Sequence, residues 1–159
     1  MLFPALTFLA VIGSGLAAGL FFIFSNTIMA SFARLPAAQG IAAMQQINLT
    51  IINPVFMAVF MGLAALSLVL GAKALLGWSE AGSAWLLAGA IAYLVGCFLV
   101  TIIFNVPLND QLAAVDPAGA EGAPLWATYL REWLPWNHVR TVACTVSLGS
   151  YVMALLRMA

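Results

Sequence analysis

Within Trp133-Leu134-Pro135-Trp136-Asn137-His138-Val139-Arg140-Thr141, the only histidine of the 159-residue chain stands two positions before an arginine, at the head of a long apolar segment. An imidazole there could remove a proton near neutral pH, and a guanidinium in a dry pocket could hold the anion that results. A charged side chain next to hydrocarbon is costly, which makes Arg140 a functional-site candidate. Its competing readings are structural: a salt bridge to Asp110 or Glu132, or a side chain reaching out to lipid phosphates. For His138 the competing reading is a solvated interfacial side chain.

Other polar residues recur at helical spacing. Tyr93, Cys97, Thr101 and Asn105 follow one another every four residues, and Asn137, Arg140, Thr141 and Cys144 share another face. Polar groups at membrane depth need partners inside the protein. The two stripes are therefore expected to face each other, either framing a cavity or simply tying two helices together. Metal binding has little support, with one histidine, no Cys-x-x-Cys and no His-x-x-x-His. His138 with Asp110 is at most a partial ligand set. Phosphate-cradling glycine loops and a Gly-x-Ser-x-Gly elbow are absent, which removes the common nucleotide and acyl-transfer classes. Acidic residues are missing from the apolar segments, which argues against ion-coupled transport.

The elements that must position these residues follow from composition. The chain is 65% hydrophobic and 6% charged, with a mean hydropathy of +1.10, and so reads as an integral membrane protein. About 20 residues cross the hydrocarbon as a helix. The expected architecture is an all-α, four-helix membrane bundle forming a single domain over residues 1–159, with spans at 5–32, 54–76, 83–104 and 137–156. A long polar connection, Asn105 to Trp136, separates spans three and four. The N-terminal segment has no positively charged n-region and stays apolar past signal-peptide length, so it reads as a retained first span. Gly15 and Gly19 give span one a small-xxx-small spacing suited to packing within the bundle. The segment 34–48 reads as a short interfacial helix, and Asn53-Pro54 as the opening of span two. Trp78 and Trp85 bracket the start of span three as interfacial anchors.

With four spans, the first and third connections share one membrane face. That face gathers Asn48, Asn53, Asn105, Asn109, Asp110, Trp126, Trp133, Asn137, His138 and Arg140. The opposite face carries little chemistry. Lys73 and Arg157 lie there and Arg34, Arg131 and Arg140 on the rich face, so the positive-inside rule selects no orientation. Net charge is zero with no basic cluster, which excludes nucleic acid as a partner. Cys97 and Cys144 both fall in apolar segments and read as small buried hydrophobes.

Several of these stretches taken together resemble the anthrone oxygenase-like family of small four-helix membrane proteins. They are Gly19-Leu20-Phe21-Phe22-Ile23-Phe24-Ser25, Met44-Gln45-Gln46-Ile47-Asn48 with Asn53-Pro54, Asn105-Val106-Pro107-Leu108-Asn109, and Trp133 with Trp136-Asn137-His138-Val139-Arg140-Thr141. The resemblance runs in order over nearly the whole chain, and the Asn-x-Pro-x-Asn and Trp-Asn-x-x-Arg elements are its more specific parts. It implies oxidation of a small, flat, phenolic or quinol-like aromatic with molecular oxygen, without a bound flavin, metal or other cofactor. By this resemblance His138 would be the base and Arg140 the anion stabiliser. Asn48, Asn53, Asn105, Asn109 and Asn137 would bind substrate oxygens, with Trp126, Trp133 and Trp136 as walls. The implied surroundings are membrane lipid, with a multi-pass location in a bacterial inner membrane; association into a homo-oligomer stays open. Two other readings fit the same residues: a non-catalytic membrane protein holding a quinone, haem or lipid, and a bundle whose asparagines only tie helices together.

Overall fold

The computed structural model describes residues 2–158, and all regular structure among them is helical. Four helices are long and apolar enough to cross a membrane: α1 (Leu2–Phe32), α3 (Pro54–Leu76), α4 (Ser83–Ala113) and α5 (Gly122–Met158). The chain is thus a multi-pass membrane protein built as a helical bundle. Between the first two spans lies a shorter, more polar helix, α2 (Ala37–Thr50).

Local sequence explains the breaks. Asn53 caps α3, its Oδ1 accepting from the backbone N–H groups of Val55 (3.1 Å) and Phe56 (3.0 Å), and Pro54 occupies the first turn where no donor is missed. Gly82 holds the turn before α4 at φ 88°, a backbone conformation that side chains rarely adopt. Lys73 pairs with Glu80 across the turn at that end of the bundle, and Trp78 and Trp85 are exposed there.

The stretch between spans three and four differs from the expected long polar connection. α4 runs on to Ala113 and α5 already begins at Gly122, so only residues 114–121 connect them. Pro135 lies inside α5 without ending it. A proline removes one helical hydrogen bond, but Trp126, Tyr129, Trp133, Asn137, Arg140, Cys144, Ser147, Tyr151 and Ala154 are all buried. Their spacing of three or four forms a single stripe through the proline, and burial of that stripe keeps the helix continuous.

At about 1.5 Å per residue, the 31 residues of α4 and the 37 of α5 exceed the roughly 30 Å of a hydrocarbon core. The overhang builds a second core. One apolar cluster fills the bundle proper, from Ala10, Phe21 and Leu63 to Tyr151. The other joins the overhang to α2 through Ile41, Met44, Leu112, Trp126, Tyr129 and Trp133. Gln45 fastens α2, its Nε2 donating to the carbonyls of Leu112 (2.8 Å) and Val115 (3.0 Å).

Span one packs chiefly on α5, and its buried residues include Ala10, Ser14, Ala17 and Phe21 but neither of the expected glycines. A Cβ on Gly19 would touch nothing within 4 Å, and one on Gly15 would only graze Leu148. Close approaches occur instead at Gly89 and Gly96 of α4, where a Cβ would lie 2.8 Å from the Tyr151 ring and 2.6 Å from Ala143, and at Gly40 of α2, where it would lie 2.7 Å from the Trp126 ring. Gly40→Ala should therefore lift α2 off the overhang and cost about 1–3 kcal/mol. The check is a lower thermal denaturation midpoint in detergent.

Candidate functional site

At the junction of the two cores the helices leave a cavity of about 400 Å³. Phe21 and Phe24 of α1, Met44 and Ile47 of α2, Phe56 and Phe60 of α3, Phe98 of α4 and Trp133 of α5 make its walls largely apolar and aromatic. Its polar lining consists of Asn48, Thr101, Asn109 and Arg140.

Arg140 is 5% exposed. Among the described residues the ion pairs are Lys73 with Glu80 and Arg131 with Glu132, and none involves Arg140. The expected alternatives of a Glu132 or Asp110 salt bridge and of a side chain extended to phosphates do not occur. Arg140 is held by neutral groups. One terminal nitrogen donates to Asn137 Oδ1 at 2.8 Å, and the other approaches Thr101 Oγ1 at 3.4 Å. The guanidinium carbon lies 4.3 Å from the centre of the Phe21 ring and 5.0 Å from that of Trp133, both within cation–π range. Nε has no partner among the described residues.

Asn137 holds this arrangement by using both ends of its amide. While Oδ1 accepts from Arg140, Nδ2 donates to the Phe21 carbonyl and to Ser25 Oγ, each at 2.8 Å. Thr101 donates its own O–H to the Cys97 carbonyl (2.8 Å), which leaves its oxygen lone pairs for Arg140. Ser25, Thr101 and Asn105 all lie in widened π-helical turns, Phe24–Ile28 and Thr101–Asn105. Such turns re-aim side chains and often accompany functional sites. Pro107, which has no N–H to give, follows the second of them.

Asn109 is fixed in the opposite sense. Its Oδ1 accepts both Tyr129 Oη–H (2.8 Å) and Trp133 Nε1–H (2.9 Å), so the group it has left to offer the cavity is its Nδ2 donor. Asn48 has a buried Nδ2 with no partner among the described residues. Asn105 is wholly buried, donating to the Trp133 carbonyl at 3.2 Å with Oδ1 unpartnered, and is not part of the lining.

The remaining expected residues lie elsewhere. Asn53 spends its side chain on the α3 cap and lies outside the cavity lining. Trp126 stacks on Tyr129 with ring centres 5.6 Å apart, in the core under Gly40. Trp136 stacks face to face on Phe104 at 3.7 Å, beside a separate groove between α4 and α5. His138 is exposed and outside the lining, so neither the proton-abstracting role nor that of a haem ligand in the cavity has its geometry. No three His, Cys, Asp or Glu side chains come together among the described residues in a way that could hold a metal ion.

The family model for anthrone oxygenase matches residues 55–150, which span α3, α4 and most of α5. The chain belongs to the anthrone oxygenase family. No curated protein and no solved structure matches it. The matched segment carries Thr101, Asn105, Asn109, Trp133, Asn137 and Arg140, whereas Phe21, Met44 and Asn48 of the cavity lining, and Ser25 that bonds Asn137, lie outside it. Those last residues show little in the sequence beyond the resemblance already noted. Phe21 in an apolar span and Met44 in a short interfacial helix are residue types common at such places.

Removing the Asn137 amide takes from Arg140 its shorter hydrogen bond and from the Phe21 carbonyl its side-chain donor. Asn137→Leu should destabilise the protein more than Asn53→Ala, for which a lost cap costs about 0.5–2 kcal/mol. Thermal scans of the two variants, side by side, provide the comparison.

Proposed function

We propose that the protein is a cofactor-independent oxygenase that binds a flat, phenolic anthrone-like substrate in the cavity and oxidises it with molecular oxygen. The observation that carries this reading is the buried, carboxylate-free Arg140, whose neighbours in the lining, Asn48 and Asn109, also offer N–H donors. A lining of donors and one fixed positive charge favours a ligand rich in acceptor oxygens, and most strongly one that becomes an anion. The aromatic walls and a volume of about 400 Å³ suit a small fused-ring compound.

An anthrone carries an acidic CH2 group opposite its carbonyl. Loss of one proton delocalises the charge onto the carbonyl oxygen, and Arg140, with the Asn48 and Asn109 amides, stabilises that oxyanion. The proton passes to water, because no carboxylate or imidazole lines the cavity. One electron from the enolate reduces O2 to superoxide, and the two radicals combine to form the carbon–oxygen bond. The proton returns to give a hydroperoxide, which loses water to leave the second carbonyl. Overall, CH2 plus O2 becomes C=O plus H2O, so the electrons balance without flavin or metal. Arg140 acts most where charge develops, and the apolar walls limit screening by water.

Purified protein in lipid nanodiscs should consume one O2 per anthrone converted to anthraquinone. Arg140→Met should lower kcat/KM by about 100-fold or more, as loss of an oxyanion-stabilising group does. His138→Ala should leave the rate within about twofold, as expected of a side chain outside the site. Oxygen-electrode traces decide it: absence of turnover above the spontaneous rate, or an Arg140→Met variant as fast as wild type, would overturn the reading.

A further inference from the structure

The cavity is sealed unequally on its several sides. α1 and α5 pack against each other along the bundle, and α2 roofs the space with Met44, 1% exposed, latched through Gln45 to the end of α4. α3 packs on α4 along Ser83–Tyr93 and, more thinly, along the turn Leu94–Leu99. Beyond that the two helices part, and the seam between them is bordered by residues that line the cavity yet are exposed on the outer surface. These are Ile52 (71%), Met61 (48%), Ile102 (48%) and Val106 (39%). All four are apolar. Met61 lies seven residues beyond Pro54, about 10 Å along the helix from the membrane face. The seam therefore reaches down beside the acyl chains instead of opening only at the aqueous surface.

We infer that the seam between α3 and the second half of α4 is a lateral portal through which an apolar aromatic ligand enters the cavity directly from the bilayer. A compound that partitions into lipid is concentrated there and reaches Arg140 without crossing the polar face roofed by α2. Ile52, Met61, Ile102 and Val106 form a rim with no hydrogen-bonding side chain, so passage strips nothing from an apolar ring system. The polar groups that hold the ligand lie further in. The inference rests on the cavity being the ligand site and not on the oxidation chemistry.

A cysteine on the roof reports the route without substrate or turnover. Met44→Cys, in protein reconstituted in lipid vesicles, is treated with a lipid-soluble aromatic maleimide or with a charged, water-soluble methanethiosulfonate. Each rate is normalised to that of the exposed Gln46→Cys, and the wild-type chain gives the background from Cys97 and Cys144. The maleimide should label Met44→Cys at least about tenfold faster on this scale than the charged reagent. Adding Met61→Trp and Ile102→Trp should slow the maleimide by about tenfold, and adding Met61→Ala and Ile102→Ala should speed it. Comparable rates with both reagents would place the entrance at the aqueous face. Maleimide rates indifferent to bulk at Met61 and Ile102, or no labelling of Met44→Cys by either reagent, would equally overturn the portal. Since no anthrone is involved, failure of the oxygenase reaction leaves these outcomes unchanged.

Discussion

A guanidinium with no carboxylate to meet it, kept inside a membrane bundle, is the constraint around which the rest is arranged. Placing arginine at the centre of a membrane helix costs about 2.5–3.5 kcal/mol on insertion scales. Here the cost is offset piecemeal, by the Asn137 amide, the Thr101 hydroxyl and the faces of Phe21 and Trp133. Each contributor is neutral, so the charge is solvated without being cancelled. A carboxylate partner would have made a more ordinary ion pair and left little field for a ligand. The orphaned Nε and the donor-rich lining follow from the same choice.

Holding the charge in that state demands three helices in register. Asn137 ties α5 to the Phe21 carbonyl and Ser25 of α1, and Thr101 brings in α4. A regular α-helix advances its side chains by a fixed angle, and the π turns at Phe24–Ile28 and Thr101–Asn105 alter that angle where the hub needs it. The overhang of α4 and α5, covered by α2, then closes the space from above. The cavity is the gap between two separately packed apolar clusters, one in the bundle and one in the cap.

Much of this was legible in the sequence because polar residues in an apolar chain are conspicuous. The four spans, the Asn53-Pro54 helix start and the stripes that contain Thr101, Asn137 and Arg140 all follow from hydropathy and spacing. The stretch from 105 to 136 misled because its prolines and charges resemble a connection. The three-four repeat from Trp126 to Arg140 was the contrary signal, and it predicts continuous burial across Pro135. The tryptophans show the limit of reading by residue type: Trp133 and Trp136 are three apart, yet one faces the cavity and the other packs on Phe104 outside it. His138 is likewise displaced by one helical position from the buried face. The π turns had no compositional signature, since one extra residue per turn leaves hydropathy unchanged.

The face-to-face contact of Phe104 with Trp136, nearly parallel at 8°, clamps α4 and α5 together outside the cavity, beside a groove lined by those two helices. Asn105 reinforces it one residue on, bonding to the Trp133 carbonyl. The hydrogen bonds around Arg140 join α1, α4 and α5, whereas α3 meets its neighbours there through the rings of Phe56 and Phe60. The charge is thereby anchored without α3, which borders the cavity but carries none of the hydrogen bonds that hold Arg140 and Asn137.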